Sequence, residues 1–342
     1  MTLRSFFVAV AVLLASAGCA DGSRQTRSVP SWPVWQRTAP GSAGVDPRML
    51  AALDRRVSVE FPGLTSLLVA RDGRLVFERY YNGVQAADRL PIFSITKSVV
   101  SALVGIALAD GDLPSIDDRL VDLLPDAFGP ETVPRARSIT LRHLLTMTAG
   151  FGPNYSYVLE DPVPTLVNRP LFSAPGTTFG YDSGSSDLLS AVLTRATGMT
   201  AAQYAQRHLF GPLGIREPRW PPLTQGVSRG GSGLLLRPRD LLAFGQLYLD
   251  GGEWRGRQIV PAAWARAATR TQVRLGGGRG YGYNWWTERG PPRFFAAFGH
   301  LGQTIVVFPR LDEVVVLTSS DEGPKSVFRL AQAVARGTRR SR

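Results

Sequence analysis

The stretch SITKSVVSALVGIAL, residues 94–108, places a serine and a lysine three positions apart at the head of an almost wholly apolar run. A run that is apolar or small on nearly all sides is typical of a buried central helix. Residues three apart on a helix share one face, so the Ser94 hydroxyl and the Lys97 amine can meet. A lysine at the start of a buried helix indicates a specific function or partner, because buried charges are rare unless they are paired.

Composition gives Lys97 further weight. Of the 39 basic residues only Lys97 and Lys325 are lysine, and the rest are arginine. Arginine does not lose its proton in a protein, whereas a desolvated lysine can approach neutrality. A hydroxyl becomes a useful nucleophile when such a base takes its proton. The alternative is that Ser94 caps the helix and Lys97 is a solvated first-turn residue.

Length and charge limit the function classes. The 342 residues, 44% hydrophobic, suit one large domain or two intertwined lobes with a substantial core, and they exclude a disordered protein. The net charge of +12 comes from scattered arginines without a basic stripe or an interleaving of aromatics, so we expect no nucleic-acid partner. Weak attraction to anionic lipid or wall polymers stays open. The histidines are His143, His208 and His300; they lie far apart without nearby carboxylate spacing, so no metal site and no cofactor are expected.

The N-terminus predicts export. Residues 1–18 have the form of a signal peptide, with Arg4 followed by an apolar segment, Phe6 to Leu14, that is too short to span a bilayer stably. Small residues then lead to Cys19, the only cysteine, in a pattern that resembles a bacterial lipobox. We therefore predict a lipid-anchored protein of the cell envelope that faces the periplasm or the exterior. The alternative is an ordinary cleaved signal with an incidental cysteine, and a single cysteine allows no intrachain disulfide.

The rest of the chain divides into a tether and one domain. Residues 19–44 are rich in Ser, Pro, Arg and Gly and predict a flexible tether, and residues 45–338 form the domain. Strand patterns at both ends of the domain and helical patterns between them predict an α+β fold, with a mostly antiparallel sheet built from both termini and a helical insertion. Besides 94–108, the predicted helices cover 46–59, 140–146, 183–196, 201–209, 239–249 and 324–335, and the strands cover 65–70, 75–81, 281–287, 294–299, 302–308 and 313–319.

Two further segments carry side chains suited to chemistry. Tyr181-Asp182-Ser183 follows a Pro-Gly turn and precedes a predicted helix, and His300-Leu301-Gly302 lies between two apolar strands. Each segment alone has an ordinary explanation. The first would be a packed tyrosine with Ser183 or Ser185 as helix cap, and the second a hairpin with an incidental histidine.

The three motifs taken together resemble the β-lactamase-related serine hydrolases, the superfamily of class C β-lactamases and penicillin-binding proteins. Ser94 to Lys97 matches its Ser-x-x-Lys motif, Tyr181-Asp182-Ser183 its Tyr-x-Ser form, and His300-Leu301-Gly302 its His-x-Gly form. The resemblance runs from about Val45 to the end and is nearest to the branch of esterases and 6-aminohexanoate-dimer hydrolases. It implies a β-lactamase/transpeptidase-like fold, an antiparallel sheet formed from both chain ends plus a helical lobe.

The resemblance also implies roles for single residues. Ser94 attacks a carbonyl and becomes acylated, Lys97 helps to remove its proton, and Tyr181 acts as general base and then acid. Lys97 and His300 are expected to lower the pKa of Tyr181. The remaining implied roles are orientation of the proton network by Ser183, positioning of substrate by His300, an oxyanion hole from the backbone N–H groups of Ser94 and Gln303, and room for substrate beside Gly302.

Departures from the family pattern shape the expected substrate. The chain has neither Ser-Asp-Asn nor Lys-Thr-Gly, and His300-Leu301 is a weaker anion site than the usual lysine. We therefore predict a serine hydrolase that cleaves an ester, amide or peptide bond of a small molecule or peptide, with no obligate protein partner. One alternative is a D,D-peptidase or weak class C-like β-lactamase, and another is a non-catalytic binding protein on the same fold. Loops near 152–169 and 218–229 are expected to set specificity.

Overall fold

The computed structural model describes residues 34–152, 162–222, 226–321 and 326–339. The predicted signal peptide, Cys19 and most of the predicted tether lie outside the described residues. Within the described ranges, no helix is both long enough and apolar enough to cross a membrane.

One antiparallel sheet of eight strands joins the two ends of the chain, in the order β2-β1-β12-β11-β10-β9-β8-β7. The first long strand pairs with the last, with Leu67 opposite Leu317, so the prediction of a sheet built from both termini is confirmed. The strands are β1 (Leu64–Arg71), β2 (Arg74–Tyr80), β3 (Leu90–Pro91), β4 (Leu235–Leu236), β5 (Glu253–Trp254), β6 (Arg257–Gln258), β7 (Val273–Gly276), β8 (Arg279–Tyr281), β9 (Trp286–Glu288), β10 (Phe294–Phe298), β11 (Thr304–Phe308) and β12 (Glu313–Ser319).

Helices occupy most of the middle of the chain and both faces of the sheet. α2 is the buried central helix, with every residue from Ile95 to Ala107 buried. α9 packs on one face of the sheet, while α1 and α11 share the apolar cluster on the other face. The helices are α1 (Pro47–Glu60), α2 (Ile95–Asp110), α3 (Leu120–Leu123), α4 (Leu141–Leu145), α5 (Pro162–Val167), α6 (Ser183–Thr197), α7 (Ala201–Ala205), α8 (Gly211–Leu213), α9 (Pro238–Leu249), α10 (Ala262–Ala268) and α11 (Phe328–Arg336).

Several elements differ from the sequence-based expectation. The segment 281–287 is not one strand, because a turn held by the Gly282 N–H and the Trp285 carbonyl, 2.7 Å apart, separates β8 from β9. Asn284 in this turn has a φ of 58°, a left-handed conformation that a continuous strand does not contain. α10 and β7 were not predicted, and the last helix begins at Phe328 rather than at residue 324.

Residues that precede the predicted start of the domain at residue 45 contact the sheet and the residues around it. Arg37 forms a parallel bridge with Leu75 in β2, and its guanidinium pairs with Glu78. Trp35 packs edge-on against Trp254, with ring centroids 5.7 Å apart. Trp35 and Arg37, which belong to the predicted tether, therefore already contact the domain.

Candidate active site

Ser94 lies at the N-terminal end of α2, where its hydroxyl does not cap the helix. Instead, Lys97 Nζ donates a hydrogen bond to Ser94 Oγ at 3.0 Å. The preceding residue, Phe93, has a φ of 46°, which is unusual for an aromatic side chain and typical of backbone held under strain at a functional site. The fold therefore places the hydroxyl and the amine together at a sharply turned entry to a buried helix.

Lys97 is enclosed and fully hydrogen-bonded. Its side chain is 1% exposed, which excludes the alternative of a solvated first-turn lysine. Besides Ser94, Nζ donates to Ser183 Oγ at 3.1 Å and to the Gly231 carbonyl at 2.6 Å. Burial lowers the pKa of Lys97 to about 8, against the opposing charges of Asp187 and Asp182. An amine with this pKa is partly neutral near neutral pH, as a general base must be.

Tyr181 faces the same hydroxyl from the residue before the N-cap of α6. Its phenol shares a hydrogen bond with Ser94, and Lys97 Nζ lies 5.1 Å from the centroid of its ring. The ring stacks on Trp286 at 5.6 Å. Burial raises the pKa of Tyr181 to about 12, while the hydrogen bond from Ser94 lowers it in part. The structure thus corrects the expectation that Lys97 and His300 depress this pKa, and Tyr181 is a neutral phenol at neutral pH.

A buried ion pair fixes the segment that carries Tyr181 and Ser183. Asp182 is the N-cap of α6, and its carboxylate accepts hydrogen bonds from Nη1 and Nη2 of Arg169 at 2.8 and 2.9 Å. The two side chains are 1% and 5% exposed. The helix cap is therefore Asp182 and not Ser183 or Ser185, so the Ser183 hydroxyl is available to Lys97. Sequence reasoning missed this pair, because one arginine among many carries no distinguishing pattern.

The third motif forms the turn between β10 and β11, beside the residue that precedes Ser94. The rings of His300 and Phe93 meet edge-on with centroids 5.4 Å apart. A side chain at Gly299 would bring a Cβ within 2.4 Å of the Ile92 carbonyl, so glycine allows this strand end to approach the start of α2. The structure thereby brings the His300 segment to the Ser94 segment.

Gly302 lies at a position of the β10–β11 turn that requires glycine. Its φ is 89°, a conformation that favours glycine. A Cβ there would lie 2.8 Å from Val327 Cγ2, so glycine also allows this turn to pack against Val327. The next residue, Gln303, is 2% exposed and its side-chain amide donates to the Ser319 carbonyl, which fixes the backbone at the start of β11.

Further residues support the site without having been singled out from the sequence. The Asp187 carboxylate accepts a hydrogen bond from the Gly231 N–H at 2.9 Å. This bond fixes Gly231, whose carbonyl accepts the hydrogen bond from Lys97 Nζ. Asn284 donates its amide to the Lys97 carbonyl at 3.2 Å. Gly231 and Asn284 lie outside the three motifs, so their contacts with Lys97 become evident only in the folded chain.

The other two histidines are structural and lie elsewhere. His143 accepts the Thr140 N–H in the capping box of α4, and His208 lies 3.2 Å from Asp110. Within the part of the chain that the structure describes, no three His, Cys, Asp or Glu side chains are grouped as a metal site.

Comparison with known proteins agrees with this geometry. A family model described as Beta-lactamase matches residues 52–339. The 6-aminohexanoate-dimer hydrolase of Paenarthrobacter ureafaciens is 24% identical over 76% of this chain and 73% of its own length. The lovastatin esterase of Penicillium rubens is 32% identical over 49% of this chain and 48% of its own, so that match spans about half of each protein.

Solved structures show the same fold. The hydrolase EstCE1, described as having promiscuous acyltransferase activity, superposes with a TM-score of 0.71 and 18% identity, over 85% of this chain and 97% of its own. An octameric penicillin-binding protein homologue from Pyrococcus abyssi gives a TM-score of 0.68 and 19% identity, over 83% and 76%. The expected β-lactamase/transpeptidase-like fold is therefore confirmed.

Proposed function

This chain belongs to the beta-lactamase family and is a serine hydrolase of that type, and from this premise we propose that it cleaves an ester or amide bond through an acyl-enzyme on Ser94. The observation that carries the proposal is the buried Lys97 amine, 3.0 Å from Ser94 Oγ, with a pKa lowered to about 8. A base needs this proximity to the nucleophile and a pKa near the working pH.

In the acylation step, Ser94 Oγ attacks the substrate carbonyl carbon and passes its proton to the neutral Lys97 amine. The tetrahedral intermediate collapses as the bond to the leaving group breaks. Tyr181, a neutral phenol hydrogen-bonded to Ser94, donates its proton to the leaving oxygen or nitrogen and is reprotonated by Lys97. The hydrogen bonds from Lys97 Nζ to Ser183 Oγ and to the Gly231 carbonyl hold the amine in position for these proton transfers.

Deacylation returns the same groups to their starting state. Water attacks the Ser94 ester and gives one proton to the Lys97–Tyr181 network, which returns it to Ser94 Oγ as the ester bond breaks. The developing oxyanion is stabilised by the backbone N–H groups of Ser94 and Gln303, which lie on the two segments joined by the Phe93–His300 contact.

A neutral substrate fits this site better than an anionic one. The third motif offers the exposed His300 imidazole where a lysine would provide a permanent positive charge for a substrate carboxylate. The names of the relatives, an esterase and an amide-dimer hydrolase, support an ester or amide as the bond that is cleaved. We place neutral esters and amides ahead of β-lactams and D-Ala peptides.

The test combines a nucleophile variant with a substrate panel. Ser94→Ala should abolish turnover of p-nitrophenyl esters and labelling by a fluorophosphonate, because it removes the only atom that becomes acylated. Ser101→Ala is the matched control, since Ser101 lies on the same helix and its buried hydroxyl has no hydrogen-bond partner in the described structure. It should retain both activities.

Two outcomes would overturn parts of the proposal. Full labelling of a folded Ser94→Ala protein would show that the nucleophile lies elsewhere. Faster turnover of nitrocefin, or faster release of terminal D-Ala, than of p-nitrophenyl esters and D-amino acid amides would reverse the proposed substrate preference while leaving Ser94 in place.

A further inference from the structure

Five arginines that are dispersed in the sequence come together around one cavity at the edge of the sheet. Two of them belong to α10 and the residues just after it, two to the β9–β10 connection, and one to the β11–β12 turn. They line a cavity of about 370 Å³ together with Glu288, and they are Arg266, Arg270, Arg289, Arg293 and Arg310. We call this set the five-arginine cavity.

These guanidinium groups have no ion-pair partner among the residues that the structure describes. All five side chains are exposed, and none makes an ion pair or a hydrogen bond with any residue that the structure describes. The one carboxylate that lines the cavity, Glu288, accepts the backbone N–H groups of Arg289 and Gly290 instead. Like charges gathered without counter-charges repel one another, so an external anion would lower the free energy of this surface.

The cavity and the candidate active site lie at opposite ends of the β10–β11 hairpin. Phe298 pairs with Thr304 next to the His300 turn, whereas Phe308 pairs with Glu313 next to the turn that carries Arg310. From Arg293 to Gly299 there are six residue steps, which at about 3.4 Å each give roughly 20 Å along the strand. An anion bound in the cavity is therefore not positioned to react at Ser94.

The N-terminal segment joins the domain at this same end of the sheet. Val34 and Trp35 line a cavity with Gly73, in the turn between β1 and β2. That turn contacts the β11–β12 turn directly, since the Asp72 N–H donates to the Asp312 carbonyl at 3.0 Å. The Val34 carbonyl also accepts a hydrogen bond from Arg255, another arginine at this end.

From these placements we infer that the five-arginine cavity and the surface around it bind the phosphate groups of an anionic lipid bilayer. A bilayer is favoured over a soluble anion because the guanidinium groups are exposed and come from three separate segments, as contact with an extended charged surface requires. The chain before Val34 is the part predicted to carry the lipidated Cys19, and Val34 contacts the domain at the same end of the sheet as the five-arginine cavity. Binding there directs the active site away from the membrane.

Vesicle partitioning tests the inference with the mature chain from residue 19 onward carrying Cys19→Ser, which lacks both the apolar segment of the predicted signal peptide and any acyl chain. The protein should bind phosphatidylcholine vesicles that contain phosphatidylglycerol, and binding should weaken as salt is raised. A basic residue near an anionic bilayer contributes about fivefold in partitioning. The variant with R266Q, R270Q, R289Q, R293Q and R310Q should therefore bind at least about a hundredfold more weakly.

A charge-matched variant distinguishes a site from net charge. Five other exposed arginines, on α1, in the helical part and in the segment between α8 and β4, have no ion pair in the described structure: Arg55, Arg135, Arg207, Arg216 and Arg219. Their change to Gln removes the same charge and should weaken binding less than about tenfold. Equal loss in both variants would overturn the inference, and so would arginine-dependent binding of soluble polyphosphate without binding of vesicles.

Orientation provides an independent test that needs no arginine in the cavity to be changed. In the Cys19→Ser chain, the fluorophore is attached through Arg74→Cys, beside the β1–β2 turn, or through Gln85→Cys, beyond the far end of β2. Energy transfer to a lipid-bound acceptor should be clearly stronger from position 74. Equal transfer, or stronger transfer from position 85, would contradict the proposed face.

Discussion

Lys97 meets two opposed requirements at one position. Burial weakens its charge and makes it a base, while its three hydrogen-bond acceptors and the charges of Asp187 and Asp182 keep the amine in place. An arginine could keep the position and the charge but could not release the proton. This explains in physical terms why a chain that otherwise uses arginine has a lysine here.

The first prediction concerns the pH dependence of the acylation rate. Because the pKa of Lys97 is lowered to about 8, kcat/KM for a p-nitrophenyl ester should rise with pH up to about 8 and level off above it. Lys97→Arg should lower the rate by about 10²-fold or more at every pH. Stopped-flow kinetics from pH 6 to 10 at constant ionic strength measures both effects. A flat profile, or an active Lys97→Arg enzyme, would exclude Lys97 as the base.

The second prediction concerns the Tyr181 hydroxyl. Tyr181→Phe keeps the ring stacked on Trp286 and removes only the proton donor beside Ser94, so kcat should fall about 10²- to 10⁴-fold with little loss of stability. Tyr281→Phe is the matched control, since that buried ring lies 6.2 Å from Tyr181 and should not take part in proton transfer. Similar kcat values for the two variants would remove Tyr181 from the mechanism.

The residues that sequence reasoning identified share one property. Ser94 and Lys97 are close in the chain, and Tyr181 and His300 belong to short motifs. These residues can therefore be predicted as catalytic candidates from the sequence alone. Arg169 and Trp286 act only through contacts that the folded chain creates, and neither residue type is rare enough here to stand out. The direction of the Tyr181 pKa shift also depends on burial, which the sequence does not reveal.

At the level of single elements, the start of α6 determines whether the site is assembled. Asp182 caps the helix through the N–H groups of Gly184 and Ser185 and at the same time pairs with Arg169. The caps and turns of α1, α4 and the β1–β2 hairpin were predictable, because short-range chemistry fixes them. The break between β8 and β9 was not predictable, because it depends on contacts with α2 that are distant in the sequence. One of these is the hydrogen bond from the Asn284 amide to the Lys97 carbonyl.

The third prediction follows from this buried pair. Arg169→Ala leaves the Asp182 carboxylate buried without its partner, so the free energy of unfolding should fall by about 3–5 kcal/mol. Arg195→Ala is the control, because the Arg195–Asp126 pair is 50% and 83% exposed and should contribute about 1 kcal/mol or less. Urea unfolding followed by circular dichroism measures both values. Equal losses would mean that Asp182 is stabilised by its helix-cap bonds alone.

At the scale of the whole molecule, Asp240 and Glu313 are further buried carboxyl groups of the described chain, and neither belongs to a candidate active-site motif. Asp240 is 1% exposed, and burial raises its pKa to about 7 against the hydrogen bond and charge of Arg237 and the charge of Arg89. Glu313 is 0% exposed, and burial raises its pKa to about 7 against the Thr338 hydroxyl and Arg71. One carboxyl oxygen of each has no hydrogen-bond partner in the described structure, which favours the protonated form.

These two groups give the fourth prediction, a loss of stability as pH rises. Between the unfolded pKa near 4 and the folded pKa of about 7, the native state holds more protons than the unfolded state. The free energy of unfolding should therefore fall by up to about 1.4 kcal/mol per pH unit for each group, and this contribution is fully present only below about pH 4. Asp240→Asn and Glu313→Gln each replace a titrating carboxyl group with an amide. In each variant the free energy of unfolding, measured with denaturant from pH 5 to 8, should therefore decline less steeply with pH. The double variant should flatten it further, because the two groups lie in separate surroundings and their effects should add. If the double variant keeps the slope of the native chain, other titrating groups determine it, and both carboxyl groups are ionised in the folded protein throughout this range.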